Sequence, residues 1–437
     1  MENYPETLRE TLLSLIRKIS ESPDLFVKNP GCDFTRNRKL PFESVVQIII
    51  SMGGNSIYKE LLEAHGYDGD TATTSAFIQQ RDKILPCLFE YLLNEFTQSQ
   101  PAPRTFMGYR LFAVDGSSLH IPKNEGDSDT YCQARPDRSG YNLLHMTAMF
   151  DLLNKLYTDA CTQPLNGINE NKALVDMIKR SRIEGKAIFI GDRNYESYNN
   201  FANIEQKGWN YVIRCKDVTS CNGILAGLNL PKEGEFDIHI HRILTRKATK
   251  EIKSNHGLYK HIDSKSPFDF LDSSNIFFPI DFRVVRFRLP DGSFQAVITN
   301  LCHSEFTPSV LKDIYKMRWG IETSFRELKY TIGLTNFHSR QRERIVQEVF
   351  ARIIMYNFAE MITMNVVISK AGTKFVYQVN FTVAIHCCRH FLRLITNAPL
   401  FDIEALIRRN VLPVRHNRGY TRKTRTRSAV SFIYRLA

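Results

Sequence analysis

Nothing in the 437 residues resembles a run of about 18 or more apolar residues, so no helical membrane span is expected. The start, MENYPETLRE, lacks the basic residues and apolar stretch of a secretory leader, which points to a cytosolic protein. The nine cysteines include no Cys-x-x-Cys pair, and the adjacent Cys387 and Cys388 are badly placed to bond each other. Reduced thiols are therefore expected. His386 and His390 stand one helical turn apart beside those cysteines, but without a second pair of ligands nearby packing is a better account of them than zinc. Acids are missing altogether from Arg408 to the end, where Arg408, Arg409, Arg415, Arg418, Arg422, Lys423, Arg425, Arg427 and Arg435 fall. That absence places much of the net charge of +12 at the C-terminus, where it suits a polyphosphate partner read without regard to base sequence.

What is present is an ordinary globular composition, 43% hydrophobic and 24% charged, which excludes global disorder. The length favours two or three structural units. Residues 6–20, 42–64 and 74–97 carry apolar side chains at helical spacing, so residues 1–100 are expected to be all-helical. Within them Ser56–His65, the turn at Gly66 and Gly69, and a helix from Thr74 resemble a helix–turn–helix. Gln98–Pro103 reads as a linker. From 104 to 215 extended segments give way to strand–helix alternation, the pattern of an α/β sheet covered by helices. Residues 216–305 read as a β-rich insertion with a hairpin turn at Pro290-Asp-Gly-Ser. Residues 306–370 are helical again, with a start at Thr307-Pro308-Ser309, and 371–437 form a basic C-terminal region.

Two acids close apolar runs: Asp115 in Arg110–Ile121 and Asp192 after Lys186–Gly191. Such acids also serve as turn formers and caps, but strand ends in an α/β sheet are where functional groups gather. Further on, Tyr315, Arg318, Glu322 and Lys329 fall within roughly 60° of each other around one helix. Ile314, Ile321, Phe325 and Leu328 make a separate apolar face. A phenol, a guanidinium, a carboxylate and an ammonium on one face suit a phosphodiester, although a solvated face with a Glu322–Arg326 pair has the same composition. Asp127, Asp129, Asp137 and Asp151 are read as turn and solubility residues, His120 and His145 as core histidines unless their strands neighbour Asp115, and Trp319 as a core aromatic.

The spacing Tyr-x2-Arg-x3-Glu-x6-Lys, with Val114-Asp115-Gly-Ser-Ser, Gly191-Asp192-Arg193 and Thr299-Asn-Leu around it, resembles the IS4-like bacterial insertion-sequence transposases of the DDE type. The resemblance runs from about Phe106 to Phe337 and implies a ribonuclease-H-like catalytic domain split by the β-rich insertion. It implies that Asp115, Asp192 and Glu322 hold two Mg2+ or Mn2+ ions and that Tyr315, Arg318 and Lys329 bind DNA phosphates. It further implies cut-and-paste transposition, inverted terminal repeats and target DNA as partners, a homodimer in the synaptic complex, helical N-terminal DNA recognition, and a place at the bacterial nucleoid. A non-catalytic domesticated DNA-binding protein and another ribonuclease-H-like nuclease remain the alternatives.

Overall fold

The computed structural model describes residues 4–36, 38–100, 102–133, 139–366, 376–393 and 401–414. Helices open the chain: α1 (Tyr4–Ser20), α2 (Phe42–Ser51), α3 (Ile57–Ala64), α4 (Thr74–Arg81) and α5 (Cys87–Gln98). Then come β1 (Arg110–Ile121), β2 (Tyr131–Cys132), β3 (Tyr141–Asp151), β4 (Leu156–Pro164), α6 (Glu170–Arg180), β5 (Ala187–Gly191), α7 (Tyr198–Gln206) and β6 (Asn210–Cys215). The next segment holds β7 (Phe236–Thr245), α8 (Lys250–Ser254), β8 (Tyr259–His261), β9 (Phe277–Arg288) and β10 (Phe294–Thr299). It is followed by α9 (Pro308–Met317), α10 (Trp319–Glu327), a π-helical turn (Leu328–Ile332) and α11 (Arg342–Thr363). The described C-terminal residues add β11 (Tyr377–Val379), α12 (Phe381–Arg393), α13 (Ile403–Arg409) and β12 (Val411–Pro413). Of the basic C-terminal residues named above, Arg408 and Arg409 lie in α13, and the others fall outside the described residues.

This is a mixed α/β fold with N-terminal helices and one large mixed sheet, ordered β2-β3-β1-β5-β6-β10-β9-β7-β8, with β4 also on β3. β1 runs antiparallel to β3 and parallel to β5, and β5 runs parallel to β6. All five residues of β5 are buried, as a central parallel strand requires. The segment 216–305 is β-rich and makes no sheet of its own. Its strands continue the sheet, because β10 pairs antiparallel with β6. The Pro290-Asp-Gly-Ser turn joins β9 to β10, closed by Leu289 N–H to Ser293 O at 2.8 Å.

Alternation along β1 divides the core. Phe112 and Val114 pack with Met149 against Leu174, Met177 and Ile178 of α6 and against α7. Ala113, Leu119 and Ile121 face Ile321, Phe325 and Leu328 of the signature region, in a cluster shared with α1, α2, α5, α11 and α12. The N-terminal helices thus have no separate core. α4 is anchored by ions: Arg81 meets Glu348 of α11 at 3.0 Å, both 1% exposed, and His338 Nδ1 lies 3.0 Å from Glu348 Oε2. Among the described residues, no helix is long and apolar enough to cross a membrane.

Candidate active site

Parallel pairing of β1 with β5 ends at Ala113 opposite Ile190. Asp115 stands two residues beyond this last pair on β1, and Asp192 directly follows the end of β5, so the two acids leave neighbouring parallel strands at the same end of their pairing. Asp192 also caps the short turn Arg193–Tyr195, accepting from the Arg193 amide at 2.7 Å. Asp115 accepts from the Gly116 amide at 2.8 Å.

The third acid comes from the face opposite α6. Its segment is not one uninterrupted α-helix: the hydrogen bonding tightens at Arg318, where Arg318 N–H reaches Tyr315 O and Ile321 N–H reaches Arg318 O. After Glu327 it widens into the π turn, which ends on Gly333 at φ 91°, a conformation that favours glycine. The shared helical face expected of Tyr315, Arg318, Glu322 and Lys329 is therefore met by a bent rod. The Tyr315 hydroxyl lies 3.5 Å from Asp192 Oδ1 and Lys329 Nζ donates to Ser118 O of β1 at 3.0 Å. Arg318 donates to Glu322 Oε1 at 2.8 Å and approaches Asp115 Oδ2 at 4.0 Å, with only 6% of its side chain exposed. The six residues singled out from the sequence thus share one neighbourhood.

Electrostatically the site has a surplus of carboxylate. Burial pushes Asp115 up to about 6, and the Glu170 and Glu322 carboxylates add to that rise against the Gly116 amide and Arg318. Burial also raises Tyr315. Arg318 is pulled down by burial, but Tyr315, Glu322 and Asp192 outweigh that and hold it above its ordinary value. All three acids offer oxygen alone, partly exposed, around a buried cation, which suits hard divalent ions in kind. As they stand, no group of three or more His, Cys, Asp or Glu side chains among the described residues is gathered to hold one ion. The Arg318 guanidinium instead provides the counter-charge between Asp115 and Glu322.

Two residues near the site carry no signal in the sequence or are read otherwise there. Arg214 follows Ile213, the residue paired with Gly191, and lies 3.9 Å from Asp192. His145 lies against the site's rear, 2.9 Å from Glu170, rather than in an apolar core. Only the strand register could have revealed these. Trp319 corrects the sequence reading. It is 59% exposed with its ring 5.2 Å from the Arg318 guanidinium, because the tightened turn at Arg318 aims it outward. Trp209 is buried and stacked on Phe112. Asp127 and Asp129 pair with Arg342 of α11, and Asp151 with Arg110, while Asp137 lies outside the described residues.

The comparisons with known proteins give the class. The family model described as Transposase DDE domain matches residues 107–358, and the chain belongs to that family. It is accordingly a DNA-cleaving and strand-transferring enzyme, in keeping with the IS4-like resemblance, and the family's chemistry uses divalent metal ions. Among solved structures the chain is similar to a piggyBac transposase synaptic complex with hairpin DNA, at 10% identity and TM-score 0.46, over 89% of this chain and 80% of that one. No curated protein matches it.

Proposed function

We propose that this enzyme performs cut-and-paste transposition, cleaving at the inverted terminal repeats of its element and joining the freed 3′-hydroxyl to target DNA. The reading is carried by one observation: Asp115 and Asp192 follow the paired stretch of two adjacent parallel strands, and Arg318 of the facing helical segment reaches both Asp115 and Glu322. The order β4-β3-β1-β5-β6, antiparallel then parallel, supports a ribonuclease-H-like core. On this reading Asp115, Asp192 and Glu322 hold Mg2+ or Mn2+. Such ions, when bound, would supply charge neutralisation and an activated oxygen nucleophile. Tyr315, Arg318, Lys329 and Arg214 orient the phosphate, the guanidinia by paired hydrogen bonds. Trp319, outside the core and beside Arg318, offers a face to an unstacked base at the cut. The N-terminal helices and basic C-terminus hold the duplex, and a homodimer brings two ends together.

The test is incubation of the protein with its element's terminal DNA and Mg2+, beside Asp115→Ala, Asp192→Ala and Glu322→Ala. Metal-dependent nicking at the repeat boundary is expected, reduced on the order of 10³-fold or more in each variant. Binding of the ends by wild type without cutting in Mg2+ or Mn2+ would leave a DNA-binding protein. Equal cutting of unrelated duplexes would leave a general nuclease. In the same assay Trp319→Ala should nick normally but accumulate the first nick, with later strand processing slowed about tenfold, as expected for loss of roughly 1–3 kcal/mol of stacking. An unchanged product pattern would remove Trp319 from the reaction.

A further inference from the structure

Behind Asp115 lies a buried polar group that the proposed chemistry does not use. In the β1–β3 register Gly116 faces Thr147 and Ser118 faces His145, which puts these residues on the α6 side of the sheet, away from Glu322. His145 is 6% exposed, and its Nε2 lies 2.9 Å from Oε1 of Glu170, the first residue of α6. A Cβ on Gly116 would stand 2.0 Å from that Oε1 and 2.5 Å from that Nε2. The pair is therefore pressed on the α-carbon whose own amide holds the Asp115 carboxylate. On the same side, next to β5, Tyr195 is buried in the turn that Asp192 caps, its amide donating to Asp192 O at 2.9 Å. Its hydroxyl is within electrostatic reach of Glu170, Asp115 and Asp192. Glu170 thus bears on the backbone beside Asp115, and the start of its helix holds the turn that Asp192 caps, where Asn171 Nδ2 donates to Asn194 O at 3.2 Å.

We propose that Glu170, held by His145, is a positioning residue that fixes the spacing and orientation of Asp115 and Asp192 from behind the sheet. This rests on the reading of those two acids as metal-holding. A loaded carboxylate needs both its neighbour and its rotamer set in advance, and residues that orient metal-holding groups typically change metal affinity by about 10–100-fold when lost. A buried pair serving stability alone would change melting and leave metal affinity as it was.

The experiment uses the full chain and Mn2+ as probe, with binding followed by electron paramagnetic resonance in the absence of DNA. Glu170→Gln keeps the size and removes the charge. It should bind Mn2+ about tenfold or more weakly and need correspondingly more metal for half-maximal end cleavage, while binding terminal DNA as wild type does. Mn2+ affinity and metal requirement equal to wild type would overturn the proposal. Should that variant not fold, Gly116→Ala drives a methyl against the pair with both side chains intact and carries the same expectation, and wild-type metal binding there would overturn it equally. Mn2+ binding that persists unchanged in both Asp115→Ala and Asp192→Ala would instead overturn the metal-site reading, and the proposal with it.

Discussion

Replacing Arg318 by alanine is expected to slow end cleavage by roughly 10²–10³-fold, the size of effect seen when one preorganised charge donor is removed from a reacting centre. An Arg–Glu pair at i, i+4 on a helix surface contributes only about 0.3–0.5 kcal/mol. This one differs because the guanidinium is buried beneath Trp319 and Tyr315 and lies between two carboxylates from different elements. Without it, Asp115 and Glu322 lose the cation between them, and the Asp115 carboxyl, already raised by burial, is pushed further up. On the proposed reading, the same fork would pair with a DNA phosphate when the carboxylates hold metal. Arg318→Lys should therefore restore little, since an ammonium cannot make two parallel hydrogen bonds. Single-turnover cleavage at saturating DNA measures this, and a lysine variant cutting at the wild-type rate would show that charge alone is required.

The largest effect on stability is expected at Glu348. Arg81, Arg352 and His338 all address its carboxylate, and Glu348, Arg81 and Arg352 are essentially removed from solvent. Glu348→Ala leaves buried cations without their partner and should cost about 3–5 kcal/mol in denaturant unfolding. Less than about 1 kcal/mol would mean that the network is already satisfied by carbonyls such as Ile332 O and Asn336 O, which Arg352 also reaches. The pH dependence has a definite sign. Burial alone would raise Glu348, but His338 and Arg81 outweigh it and hold the carboxyl far below the usual range. Its stabilisation is complete above the ordinary carboxylate value of about 4.3 and is lost as the pH falls below it. Glu348→Gln should lose that acid limb.

The proposed catalytic acids were legible because local rules mark them: an apolar run stops at each acid, at the end of β5 for Asp192 but in the middle of β1 for Asp115, and the Tyr-Arg-Glu-Lys spacing survives on a bent helix. The β segments of 216–305 were legible one by one, but not their joining to β6, since sheet order depends on pairing between distant stretches. The same holds for Arg214 and Glu170, which come to the site by register and by a crossover helix. Trp319 was misjudged because hydrophobicity alone favours burial, whereas the turn at Arg318 decides where its ring points. The π turn likewise has no composition of its own, and it changes the angle at which Lys329 leaves the rod and meets β1.

Because α1, α2 and α5 complete the apolar face that α10, α11 and the sheet present, the chain is not a string of exchangeable modules. A catalytic segment cut out at the family boundaries would keep its acids but expose a broad hydrophobic surface. If the N-terminal helices read the DNA ends, new end specificity has to be written into their outer surface in place, since exchanging them for another unit would strip a large part of the core they share with α11 and the sheet.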